Sequence, residues 1–323
     1  MTELIKDRPS LEHLPVSLFA SVMGLSGLAI ATQKLEVVFS FNTWASSVVL
    51  AISAILWLGL FIAYALKIIR FPEAVISELN HPIRLSFFPT ISIGALLLSI
   101  GSIQIFPMAA ELLWWIGTSA QLLFTLFILD RWIHHEHFKT EHNSPAWFIP
   151  IVGNILVPVA GAEFGYAEIS FFFYALGIIF WLPLMAISLN RAFFFSAIPK
   201  RLLPTLFILI APPAVGFISW LKLHSGTLDD FGIILFYFAV FLLVMLVVQA
   251  RHFIGLPFAL PWWAYTFPLA AMDIAAFAFY SVIPQPHYLY FAVSLYVVLL
   301  LVVLLVSYRT VRAGIKGSIF LPE

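Results

Sequence analysis

The chain has no cysteine among its 323 residues, which excludes disulfides, cysteine-ligated zinc, iron–sulfur clusters and thiol catalysis. Charge is almost as scarce. Asp, Glu, Lys and Arg together make up 10% of the sequence, too few to coat a soluble globule of this length. The 16 basic and 16 acidic residues cancel, so no strongly acidic or basic partner is indicated and nucleic acid is excluded. Catalytic motifs are missing as well. There is no GxSxG elbow, no Gly-rich phosphate loop and no paired-carboxylate motif, and the loop Arg131-Trp132-Ile133-His134-His135-Glu136-His137 does not match HExxH. An enzyme is not expected, and no metal or other cofactor is called for. Three close histidines in a polar loop read as solvated side chains, with His142 beyond them.

What the sequence has in quantity is apolar residues, at 62% of the chain and a mean hydropathy of +1.03. About 20 apolar residues cross a bilayer, and ten stretches qualify: Leu14 to Thr32, Thr43 to Ile69, Ile83 to Ile103, Phe106 to Leu129, Ala146 to Ala162, Ala167 to Leu189, Pro204 to Leu221, Asp229 to Ala250, Ala259 to Ile283 and His287 to Ser307. The chain is therefore read as one all-α integral membrane domain over residues 1–323, with short tails at 1–13 and 308–323. Lys6 and Arg8 precede the first stretch with no small-residue cleavage site after a short apolar region, so that stretch reads as a retained helix.

Positive charge sets the expected orientation. Lys6, Arg8, Lys67, Arg70, Arg84, Arg131, Lys139, Arg191, Lys200, Arg201, Arg251, Arg309, Arg312 and Lys316 fall on one side, and only Lys34 and Lys222 on the other. Cytoplasmic loops collect Lys and Arg. Both termini are thus expected inside, with ten helices arranged as five hairpins whose tight turns, such as Gly161 to Tyr166 and Pro284 to Pro286, face outward.

The outbound stretches differ from the returning ones. Pro89 interrupts the third, Pro150 and Pro158 the fifth, Pro212 and Pro213 the seventh and Pro268 the ninth, while the first carries Gly24 and Gly27. Small and weakly polar residues, among them Ser86, Thr90, Ser92, Gly153 and Asn154, concentrate on the same set, and Pro183 is the one real interruption among the returning helices. This alternation predicts an inner ring of five bent helices wrapped by five straighter ones. Small residues also serve ordinary helix packing. In the ninth stretch Pro268 cannot donate a backbone hydrogen bond, which predicts an opening at Thr266 and Phe267. A carbonyl freed within lipid must face protein or a water-filled cavity, so a conduction path obstructed by Phe267 is expected, although Phe267 is one of 33 phenylalanines.

Asp273 is the sole ionisable residue near the middle of a stretch, and intramembrane charge is usually functional. At about 100° per residue it lies roughly 240° around the helix from Phe267, on a face turned away from a pore that Phe267 would face. It reads either as a neutral, hydrogen-bonded structural acid or as a candidate proton site. No Lys or Arg lies mid-span, so no fixed positive ring sets selectivity. Arg70, Arg84, Arg201 and Arg251 could instead steer anions toward a cytoplasmic mouth or simply anchor helix ends.

Several runs in order, Arg70-Phe71-Pro72, His81-Pro82-Ile83-Arg84, Trp115-Ile116-Gly117-Thr118 with Gln121, Pro150 with Val152 and Asn154, Ala211-Pro212, and Trp263-Ala264-Tyr265-Thr266-Phe267-Pro268, together resemble the tellurite-resistance/dicarboxylate transporter family, which includes the slow-type anion channel of plant guard cells. The resemblance covers nearly the whole chain. It implies a quasi-fivefold ring of helical hairpins around a central pore, an aromatic gate falling on Phe267, homotrimeric assembly in a bacterial inner membrane and anions as the transported species. Gly24 keeps the family's glycine, whereas Ala20 stands where a glycine is common. The leading expectation is a channel for small monovalent inorganic or organic anions. The alternative is a proton-coupled carrier of C4-dicarboxylate, sulfite or tellurite-type anions.

Overall fold

A computed structural model describes residues 10–134, 138–139 and 142–321, and within these every regular element is a helix. The α-helices are α1 (Ala20–Val38), α2 (Trp44–Arg70), α3 (Pro72–Asn80), α4 (Thr90–Ser102), α5 (Pro107–His134), α6 (Phe148–Val152), α7 (Val157–Gly161), α8 (Ala167–Phe194), α9 (Ala211–Leu223), α10 (Asp230–Val248), α11 (Thr266–Val282) and α12 (Pro286–Ile315). Among the described residues, nine helical segments are long and apolar enough to cross a membrane, and Pro145–Gly161 is a shorter apolar helix.

The odd and even stretches fold differently, and proline chemistry explains how. Each outbound stretch contains a 3₁₀ segment that gives way to α-helix. The 3₁₀ parts are Val16–Phe19, Arg84–Phe87, Gly153–Leu156, Lys200–Ile210 and Leu260–Tyr265, followed by α1, α4, α7, α9 and α11. Pro89 is the N-cap of α4, Pro158 lies in the first turn of α7, Pro212 and Pro213 open α9, and Pro268 sits in the first turn of α11. A first-turn proline lacks an N–H that no intrahelical carbonyl would have accepted, so it starts an α-helix without a lost bond. The interruptions expected from the sequence are therefore changes of helix type. Pro183, by contrast, lies inside α8, which continues through it.

Burial follows the same division. Between 67% and 83% of the apolar window is buried in the first, third, seventh and ninth stretches, against 22% to 44% in the returning helices. The broken fifth stretch is buried throughout, from Phe148 to Gly161. Each buried helix packs on the returning helix that follows it, as α1 on α2, α4 on α5, α7 on α8, α9 on α10 and α11 on α12. The buried helices also touch one another in a closed circuit, α1 to α4, α4 to α7, α7 to α9, α9 to α11 and α11 back to α1. The returning helices turn residues such as Ile55, Leu123, Ile179, Val248 and Leu301 outward, an apolar perimeter suited to lipid.

Candidate functional site

The five changes of helix type border a single cavity. Ala20, Thr90, Leu156, Ala211 and Phe267, one residue from each buried stretch and each within one position of its 3₁₀-to-α junction, line it. The cavity measures about 50 Å³. Since a water needs on the order of 10–15 Å³, it has room for a few waters. Its wall carries no charged side chain. The lining hydroxyl of Thr90 donates to the carbonyl of Phe87 at 2.5 Å and the lining indole of Trp263 to Thr310 at 3.0 Å, so neither is offered to the interior. A cavity lined in this way offers water few hydrogen-bond partners.

Phe267 is buried on this wall, in the first turn of α11, beside Pro268. The glycines of α1 let that helix approach it. A methyl group on Gly27 would meet Ala270 Cβ at 2.7 Å and Phe267 Cδ2 at 3.7 Å, and one on Gly24 would run into Thr266. The Thr266 hydroxyl in turn donates to the carbonyl of Trp263 at 2.7 Å, across the junction. Ala20 lines the cavity one turn before Gly24, so the backbone of α1 nears Phe267 through Gly27.

At the fifth stretch the break leaves the Pro150 carbonyl needing donors, and three side chains supply them: Gln121 Nε2 at 2.9 Å, Thr125 Oγ1 at 2.8 Å and Asn154 Nδ2 at 3.1 Å. Gln121 also accepts from Ser92 Oγ at 2.7 Å, tying α4, α5 and α6 together in a buried network. An unmet carbonyl here would cost about 1–3 kcal/mol. Gly153 faces the cavity on one side and this network on the other, where a Cβ would come within 2.7 Å of the Gln121 Cδ. Thr125 escaped the sequence reading; the signal available was its one-turn spacing from Gln121, which puts both on one helix face.

Of the remaining positions singled out in the sequence, Pro89, Pro158, Pro212, Pro213, Gly24, Gly27, Asn154 and Thr266 are buried at helix junctions or helix contacts, whereas Gly153, Phe267 and Pro268 line the cavity itself. Asp273 is fully buried on α11 and is not among the cavity's lining residues, and among the described residues neither carboxylate oxygen has a hydrogen-bond partner. Arg70, Arg201 and Arg251 are exposed, and Arg84 is half-buried on a polar pocket of about 360 Å³ that also holds Lys67 and Glu78. Within that pocket Lys67 and Glu78 form a buried ion pair at 3.0 Å. Tyr64 donates to Glu78 at 2.6 Å, and Lys67 to the Leu14 carbonyl at 2.8 Å. His135, Glu136 and His137 lie outside the described residues, and among those described no group of three or more His, Asp or Glu side chains is placed to hold a metal.

The described residues form an all-helical protein with many apolar spans, whose broken, buried segments border an apolar cavity; the sequence comparisons give its family. The family model for the voltage-dependent anion channel, SLAC1, matches residues 13–311, so the chain belongs to that family of anion channels and transporters. It is similar to the S-type anion channel SLAH3 of Arabidopsis thaliana, 32% identical over 86% of this chain and 45% of the relative. It is also similar to the tellurite resistance protein TehA homolog of Haemophilus influenzae, 30% identical over 83% of this chain and 81% of the relative, and to the uncharacterized transporter MJ0762 of Methanocaldococcus jannaschii, 24% identical over 96% and 97%. The chain spans about half the length of the plant relatives SLAH3 and SLAH2.

Proposed function

We propose that the chain is a gated channel conducting small monovalent anions along the axis of its five buried spans, with the Phe267 ring as the closed gate. The observation that carries the reading is the single apolar cavity bordered by all five helix-type junctions, with Phe267 on its wall. In this reading the closed circuit of α1, α4, α7, α9 and α11 is the inner ring of a quasi-fivefold, ten-crossing domain. The passage carries no fixed charge, so ions that shed water easily pass best, and Arg70, Arg84, Arg201 and Arg251 raise the anion concentration at the Lys/Arg-rich mouth. That mouth is cytoplasmic by the distribution of positive charge. Both termini are then inside, and the protein works as a homotrimer in a bacterial inner membrane. Recording Phe267→Ala in a planar bilayer tests the gate: anion current rises above that of the parent protein. An unchanged current from well-inserted protein removes Phe267 from that role.

One observation favours a second reading, a proton-coupled carrier of C4-dicarboxylate, sulfite or tellurite-type anions. Asp273 is fully buried with both oxygens unpartnered, and an acid so placed within a membrane is suited to exchanging a proton. Liposome flux separates the two, because a carrier follows an imposed proton gradient and a channel does not.

A further inference from the structure

Arg191 lies in the last turn of α8 and retains only 4% of its accessible surface. Among the described residues its Nε and Nη1 have no hydrogen-bond partner. Lysine or histidine in such a place could shed its proton, but a guanidinium stays charged, and a buried charge without a counter-charge is strongly unfavourable. The segment bonded to the same face of α8 adds donors. One turn earlier on the same buried face of α8, Ser188 donates to Asn143 Oδ1 at 3.2 Å. This leaves Asn143 Nδ2 pointing elsewhere, and both it and the neighbouring Ser144 Oγ are buried without partners among the described residues. Side chains on a helix lean back toward its N-terminus, which carries the Arg191 head toward the level of Ser188 and Asn143. Two guanidinium nitrogens, an amide nitrogen and a hydroxyl are thus buried at the end of α8 and on the segment bonded to it, without a described acceptor for any of them.

We propose that Arg191, Asn143 and Ser144 form a binding site for a phosphate-type oxyanion, separate from the cavity at Phe267 and independent of the channel reading. Several donors of different geometry suit a ligand with several acceptor oxygens, and guanidinium–phosphate pairs are among the stronger charge-assisted contacts. The oxyanion is either free phosphate or the phosphodiester of a membrane lipid. Immediately beyond Arg191, the Phe193, Phe194 and Phe195 side chains are exposed, and they offer acyl chains a surface next to the headgroup position.

The test uses the full chain purified in an uncharged, phosphate-free detergent. Its melting temperature is followed during titration with inorganic phosphate and, separately, with phosphatidylglycerol, with an uncharged glycolipid as control. At least one of the two phosphate probes raises the melting temperature of the parent protein, and Arg191→Met weakens that apparent affinity by roughly tenfold or more, the scale of one or more lost charged hydrogen bonds. A response to phosphatidylglycerol alone assigns a lipid headgroup, a response to phosphate alone assigns a free anion, and either supports the site. The proposal fails if neither probe shifts the parent protein more than the glycolipid does, or if Arg191→Met responds as the parent does. Should Arg191→Met not fold, Ser144→Ala carries the test because it keeps the charge and removes one donor: weakened binding supports the site and unchanged binding overturns it.

Discussion

Gly27 of α1 and Phe267 of α11 face each other so closely that a methyl group on the glycine would stand 3.7 Å from the phenyl ring, while the same methyl would press on Ala270 Cβ at 2.7 Å. The second contact is the decisive one, because neither a Cβ on residue 27 nor the Ala270 methyl can swing aside. Gly27→Ala must push α1 and α11 apart. Overpacking of this kind costs about 1–3 kcal/mol, so the variant should melt earlier in detergent. Because the shift occurs beside Phe267, it should also loosen the seat of the ring and raise basal anion current; a variant that melts earlier with current unchanged would detach α1 from gating.

Gly153 and Gln121 make a second such pair. A Cβ on Gly153 would stand 2.7 Å from Gln121 Cδ, and Gln121 is fixed by its bonds to Ser92 and to the Pro150 carbonyl. Gly153→Ala should therefore be destabilising alone. In a Gln121→Ser background, where the obstructing amide is gone, the added cost should shrink. A double-mutant cycle on melting free energies should return a coupling of about 0.5–3 kcal/mol; strict additivity would place the two side chains out of contact.

Much of this architecture is legible in the residues. Ten apolar stretches were expected; nine fold as helices of spanning length, and the tenth, around Pro150 and Pro158, is the one cut into short pieces. The placement of proline and glycine on alternate stretches foreshadowed which of them are buried, because helices with interrupted backbone bonds must be covered by protein. Two things were not readable. Proline at 89, 158, 212 and 268 predicts an interruption, but whether the chain bends or changes from 3₁₀ to α depends on tertiary packing. Two of the three donors that meet the Pro150 carbonyl come from α5, 25 and 29 residues away in sequence, and nothing local to the proline names Thr125. Phe267 stood out through Pro268 and the family resemblance, since composition alone gives it no distinction among 33 phenylalanines.

The Lys67–Glu78 pair predicts an asymmetric response to mutation. Both side chains are almost fully enclosed, at 2% and 6% exposure, and Glu78 also accepts from Tyr64. Removing one partner leaves the other charge buried and alone, a loss of about 3–5 kcal/mol, whereas an apolar pair of similar volume is often neutral. Lys67→Met and Glu78→Leu should each melt well below the parent, and the double variant should recover most of the loss. Equal losses in the single and double variants would mean that the pair holds the pocket's shape rather than balancing charge.

Asp273 decides between the two transport readings, and its surroundings fix what each predicts. The carboxyl is fully buried on α11, both oxygens lack partners among the described residues, and it is absent from the cavity wall that Phe267 lines. A channel has no use for a proton at that position. Asp273→Asn, nearly isosteric and still polar, should then leave anion permeability in liposomes unchanged and insensitive to an imposed proton gradient in both parent and variant. A carrier needs a group that gains and loses a proton during each cycle, and an amide cannot. If parent flux follows the gradient and Asp273→Asn abolishes that dependence while counterflow exchange of anion persists, coupling resides at Asp273 and the channel reading falls, with Phe267 left as an obstruction inside a carrier.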